Sequence, residues 1–421
     1  MVTPMPTPTS RFHDFSRETL AAVVPELLLC GHLIDRSGMA HSIAAFGREG
    51  MTEVAIEEWQ LASPVYTRRM QRALNFTGDD VITIFKGMQL EIGAPPQFMD
   101  FRYRVDDPHH GRFWLDHCGA LADVEPMGTE YVTAMCHDIE DPTFDATALA
   151  TNPHAQVRPL HRPPREPADR KPVCAWTVVI DESHTPPPAP PNAALVADSV
   201  AAGIALPAIA TDQEGRSDYR GPLLSDLRFA DFSHSALVRI SEEVCLQQHL
   251  LTLGFMIAVH SRTDTDTALG IGRKQFTGIA GLTAERLRTC LSLDSDDPAT
   301  LAQVLRVHPA LNPQPYTGID IDDSSPALRV RFPHNSGAIT DRVWPSMIDP
   351  DHLEPLDALV RGVNAHYYSR VTDTDENGWT ADILRADAPF REASEVAVTR
   401  FSTGADFTFT DRGIPLPLTV I

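Results

Sequence analysis

Between positions 135 and 164 the chain reads MCHDIEDPTFDATALATNPHAQVRPLHRPP, placing one thiol, three imidazoles, four carboxylates and two guanidiniums within thirty residues. A thiol beside an imidazole and a carboxylate is the arrangement that makes a nucleophilic thiolate: an imidazolium lowers the thiol pKa and the carboxylate orients the imidazole. The expected catalytic set is Cys118, Cys136, His137, Asp138 and Asp141, with His154 and His161 as alternative bases. Two other readings stay open. One is a zinc or iron site built from His and Cys, although the spacing lacks the close CxxC and HxxxH pairs of such sites. The other is inert packing, because cysteine is among the most often buried residues and EDPTFD can be a capped turn.

The segment that follows is basic for this chain. Arg158, His161, Arg162, Arg165, Arg170 and Lys171 fall within fourteen residues, among prolines that keep the backbone extended. Arginine forks grip carboxylate or phosphate in bidentate fashion, so Arg158, His161 and Arg162 are expected to clamp a small anionic substrate. The alternative is a solvated loop paired with the protein's own acids.

Strands are expected to position these groups: FRYRV, RFWLDHC and EYVTAMCHD as an antiparallel meander with turns at DDPHHG and EPMG, and PVCAWTVVI returning beside them. Alternation along RFWLDHC puts Phe113, Leu115 and His117 on one face and Trp114, Asp116 and Cys118 on the other. Along EYVTAMCHD it puts Val132, Ala134, Cys136 and Asp138 opposite Tyr131, Thr133, Met135 and His137. His117 and Cys118 then point apart, as do Cys136 and His137. Cys118, Cys136 and Cys174 form the more consistent set, one per strand, and Trp114 and Cys174 complete the expected substrate-binding group.

The chain also repeats itself. At an offset of 217 positions, DFSRETLAAVVPELLLCGHL (14–33) lies over DFSHSALVRISEEVCLQQHL (231–250) with eight of twenty positions identical, and the register continues ungapped through Arg69/Arg286 and Leu74/Leu291. His117 again falls over His334. In each copy an N-capping DFS opens an amphipathic helix. Pro25 is expected to kink the first or mark a later start. More helices should follow, then strands, so the expected class is α+β: a tandem duplication of N-terminal helices followed by an antiparallel strand meander. The expected divisions are 1–180, a Pro-rich linker at 181–227 containing HTPPPAPP, and a degenerate second unit at 228–421. Residues kept in both copies, Glu26/Glu243, His32/His249 and His117/His334, read as scaffold. Reactive groups present in one copy are the better candidates for function.

At 421 residues with 43% apolar content the chain can build substantial cores, and its formal charge of −22 disfavours nucleic acid and anionic lipid as partners. The longest apolar run, at 20–34, is too short and too interrupted to span a bilayer. The N-terminus does not read as a secretory signal, and six scattered cysteines favour reduced thiols in a cytoplasm.

The order DHCGAL, AMCHDIED, NP and CAW over about residues 15 to 180 resembles the L-2-amino-thiazoline-4-carboxylic acid hydrolase family, and the chain also resembles uncharacterised actinobacterial proteins. The hydrolase resemblance rests on Cys118, Cys136, Asp138 or Asp141, and Cys174. It implies cytosolic hydrolysis of a small carboxylated heterocycle, which suits a cysteine-centred site with an arginine clamp. The expected function is therefore a hydrolase or related transferase needing no cofactor. A non-catalytic small-molecule-binding or sensory protein, or a metal-dependent enzyme, is the alternative.

Overall fold

A computed structural model describes residues 10–324, 327–400 and 413–418. Ser16 accepts a hydrogen bond from the Thr19 amide and opens α1 (Arg17–Ala73), and Pro25 is accommodated within it without ending it. The break comes instead at Gly47, whose φ of 72° and ψ of −178° lie outside helical space. A side chain resists that positive φ; glycine does not. Asp80 caps α2 (Val81–Met88), and a hairpin of β1 (Met99–Asp107) and β2 (His110–Cys118) follows.

The chain then turns helical where a third strand is expected. α3 (Gly119–Val124) leads to α4 (Thr129–Thr133), a π-helical stretch at Ala134–Ile139, and α5 (Glu140–Leu149). Val132, Cys136 and Ile139 are buried at helical spacing, and because Ala134 is buried as well, 132–136 taken alone also fits alternation. The strand parity argued for Cys136 and His137 is thereby corrected. β3 (Ala155–His161) and β4 (Cys174–Ile180) complete a sheet of order β1-β2-β4-β3, antiparallel throughout.

The second half opens on Ser233, the N-cap of α6 (His234–His260), followed by α7 (Thr265–Cys290) and α8 (Pro298–Val307), the latter capped by Asp297. β5 (Asp320–Asp322) and β6 (Leu328–Pro333) precede α9 (Glu354–Val363), and β7 (Tyr367–Asp375) and β8 (Gly378–Arg385) precede α10 (Ser394–Arg400). This sheet has order β5-β6-β8-β7, the order of the first. The fold is α+β, with each half running helices, hairpin, helical excursion and two further strands.

The halves share one hydrophobic core. α6 is buried on nearly every side and packs along α1, and its polar residues reach across: Gln248 Nε2 donates to the Leu27 carbonyl at 2.8 Å, and Gln247 Nε2 to that of Leu90 at 2.9 Å. The HTPPPAPP part of the connector is largely exposed, but Tyr219 further along is fully buried and receives the Lys86 ammonium on its carbonyl at 2.9 Å. That latter part of the connector is packed structure. No helix among the described residues is long and apolar enough to cross a membrane.

Candidate functional site

Cys118, Cys136 and Cys174 are all brought into the core, by routes the strand reading does not provide. β2 carries an irregularity between the pairs Met99–Cys118 and Phe101–Leu115, which sets three residue steps against two. That bulge turns Cys118 to the core face, away from Trp114 and Asp116. There its sulfur accepts the Leu121 amide at 3.3 Å and caps α3. Cys136 arrives from the π-helical stretch, and Cys174 opens β4 opposite Leu115. Burial, then the nearby Glu140, pushes the Cys118 thiol up to about 12, and the same two causes raise Cys136 and Cys174. A nucleophile needs the thiolate, and this environment opposes it. All six cysteines are free.

The expected partners are dispersed. Nε2 of His137 donates to the Pro163 carbonyl at 2.7 Å, and Asp138 is exposed. His154 lies at the far end of the sheet from Cys174, exchanging hydrogen bonds with His184: Nδ1 of each meets the other's carbonyl, at 2.8 and 3.0 Å. His161 stands opposite Ala175, next to Cys174, its pKa lowered by burial and by Arg170. Trp114, partly buried, pairs with Ala175.

The arginines of the expected anion clamp meet the chain's own acids. Arg158 Nη1 reaches both Asp145 oxygens at 2.9 Å, Arg162 pairs with Asp141 and lies 5.8 Å from the Trp176 ring centroid, and Arg165 holds Glu125 at 2.6 Å. Each of these guanidiniums already has a carboxylate of the chain itself.

A different group of residues walls a cavity in the first half. His32 and Asp35, one turn apart on α1, face Glu91 from the turn after α2 and Glu140 from the start of α5, with Trp59, Phe101 and Phe144 around them. Glu58 stands behind Asp35 and hydrogen-bonds to it. In a straight helix residues 35 and 58 would be ~35 Å apart. The reversal at Gly47 is what brings them together. His32, Asp35, Ala120, Met135 and Ile139 wall both this inner chamber of 80 Å³ and an outer one of 340 Å³, lined mainly by apolar side chains.

The inner chamber holds its acids in unusual states. Burial raises Asp35 to about 6, opposed by hydrogen bonds from Glu58 and Trp59. Burial and then the Asp35 charge raise Glu58 well above the usual carboxyl range. Glu91 is pushed up to about 8 by burial, against the pull of neighbouring Tyr66 and Thr67 hydroxyls, and Glu140 reaches about 8 by burial against the pull of Arg162. His32 is lowered to about 3 by burial and by Arg36, so it is neutral. Of these carboxyls Asp35, raised only to about 6, is the one most readily ionised near neutral pH, while burial favours the protonated form of Glu58, Glu91 and Glu140. Glu58 is 1% exposed and Glu91 6%, and Oε1 of Glu58, Oε2 of Glu91, Oε2 of Glu140 and Nδ1 of His32 have no hydrogen-bond partner among the described residues.

The second half lacks this acidity. At the 217 offset His32 matches His249, but Asp35 matches Thr252, Glu58 matches Gln275 and Glu91 matches His308. His249 and His308 are both lowered to about 4, chiefly by burial, and are neutral. Trp59 matches Phe276, on which the Trp344 indole stacks at 5.3 Å, with its edge toward His249 at 5.7 Å. The sequence expectation missed Asp35, Glu58 and Glu91, though comparing its own two halves at those positions would have exposed them.

Among the described residues no group of three or more His, Cys, Asp or Glu side chains is placed to hold a metal ion. No family model, curated protein or solved structure matches the chain.

Proposed function

We propose that the protein is a small-molecule enzyme whose working half is the first, with Asp35 as general base, Glu91 as general acid and Glu58 positioning Asp35. The observation that carries this reading is the asymmetry of the two halves: three buried acids face or back a cavity in one, and neutral Thr252, Gln275 and His308 stand at the matching positions in the other. Burying carboxyls costs stability even when some of their oxygens are hydrogen-bonded, and one oxygen each of Glu58 and Glu91 has no partner among the described residues. Environments that push two acids to about 6 and about 8 leave one able to accept and one able to donate a proton near neutrality. Hydrolysis or group transfer suits such a pair. The two halves are proposed to descend from one duplicated unit, a reading supported by their equal strand orders and by the shared positions of their helix caps.

A test needs no known substrate. Asp35→Thr, Glu58→Gln and Glu91→His, the residues of the second half, should together give a folded protein more stable than the parent above pH 8. A clear loss of stability there would mean that the acids serve the fold, and the reading would fail.

A second reading keeps the thiols as the reactive groups, favoured by the convergence of Cys118, Cys136 and Cys174 beside Glu140. It predicts that Cys136→Ser abolishes turnover while Glu91→Gln does not, and acid–base chemistry predicts the reverse.

A further inference from the structure

We infer that the ligand of the first-half chamber is an amine with a linear apolar tail, its ammonium on Asp35 and its tail in the outer chamber. This rests on the acid-lined chamber proposed above and names its substrate class. The head is set by charge. Asp35 is buried with the neutral His32 and the carboxyls Glu58, Glu91 and Glu140 around it, and the nearby Arg36 pairs its charge with Asp123 and donates Nη1 to the Thr399 carbonyl, leaving only Nε without a partner among the described residues. A monovalent cation would neutralise the ionised group, and its N–H bonds would meet carboxyl oxygens that lack partners. An anionic head would face a carboxylate, and the one cation beside it, Arg36, already has its charge balanced by Asp123.

The tail is set by shape and lining. The outer chamber, 340 Å³, is contiguous with Asp35 and lined by Met39, Ile43, Met51, Met127 and Met135. Methionines adapt to flexible apolar chains. At the rim Met127 is 48% and Val398 44% exposed, large apolar side chains that a ligand tail would cover. Val398 comes from α10 of the second half, where the Thr399 hydroxyl meets that of Ser37 at 3.0 Å and the Thr399 carbonyl accepts from Arg36 at 3.3 Å. The second half thus supplies part of the mouth of the first-half chamber.

The experiment is calorimetric titration of the full chain at pH 7 with butyl-, hexyl- and octylammonium, with octanoate and octanol as controls. The expected result is affinity rising by about fourfold per methylene along the amines, as burial of each CH2 predicts, and octylammonium binding at least tenfold tighter than octanoate. Asp35→Asn should remove the amine's advantage over octanol. Met127→Trp, at the exposed rim, should weaken octylammonium more than butylammonium. Amine binding that depends on Asp35 but not on chain length overturns the tail and leaves the acid chamber standing. Octanoate binding as tightly as octylammonium, or no amine binding at any length, overturns the inference outright. The stability test of the second-half residues judges the acid chamber separately.

Discussion

Arg69 grips Glu243 with Nε at 2.8 Å and Nη2 at 3.0 Å, and its counterpart Arg286 grips Glu26, the counterpart of Glu243, at 2.7 and 3.1 Å. The pairs cross, each arginine holding a glutamate of the other half. Both arginines and both glutamates fall on the 217 offset, so residues that match between the two halves bind the halves to each other. They register α1 and α7 against α6 and α1.

The two pairs differ in burial, so removing them should differ in cost. Arg69 and Glu243 are 5% and 1% exposed, against 27% and 17% for Arg286 and Glu26. Glu243→Ala strands a buried guanidinium and should cost ~3–5 kcal/mol, even with the Arg69 carbonyl contacts to Ala202 and Ile204 intact. Glu26→Ala should cost clearly less. Urea unfolding of the two variants measures the difference, and equal costs would contradict this assignment of burial.

Stability should fall as the solution becomes basic. Glu91 titrates at 4.5 in an unperturbed chain and at about 8 here, so the folded protein keeps a proton that the unfolded chain has released. Stability is full below pH 4.5 as far as this group is concerned, and declines through to about pH 8, at ~1.4 kcal/mol per unit of pKa difference at most. Glu140 acts in the same window and the same direction. Glu91→Gln should flatten the decline between pH 5 and 8, as read from denaturation midpoints across that range.

The thiols should be slow. Cys30, Cys118, Cys136, Cys174 and Cys245 are buried, and Cys290 is partly exposed with its thiol raised to about 11, chiefly by burial. A thiol reagent at pH 7.5 should label Cys290 first and the other five only on unfolding. Rapid labelling of Cys136 in the native protein would revive the nucleophile.

Trp344 packs on Phe276 and His249, the residues that match Trp59 and His32 at the 217 offset. Trp344→Ala should cost ~3–5 kcal/mol through the cavity it leaves, with no effect on amine affinity in the first half. Thermal unfolding and the octylammonium titration read the two effects.

Much of the local structure was legible because its causes are local. Ser16 and Ser233 each cap a helix through a side chain and an amide three residues on, as the DFS motifs led one to expect; Asp80 and Asp297 do the same, though the sequence reading did not single them out. FRYRV, RFWLDHC and CAWTVVI alternate strictly enough to declare themselves as strands, whereas Cys136, expected on a strand beside Cys118 and Cys174, lies on a π-helical stretch. The helical excursion at 129–149 was not anticipated, because over a few residues the spacing of its buried side chains also fits alternation. Nor was the pairing of Arg158, Arg162 and Arg165 with Asp145, Asp141 and Glu125, which depends on where α3 and α5 lie against β3 and the segment after it.

By itself, then, the order of residues determined the helix starts, the β1–β2 hairpin, the returning strand β4 and the 217-residue register. Tertiary structure alone decided which polar groups meet. Asp35, Glu58 and Glu91 lie 23 and 33 residues apart along the chain, and only the reversal at Gly47 and the packing of α1 against α6 put them around one cavity. Their acidity is likewise a property of that packing, since it is the loss of water around a carboxyl that raises its pKa.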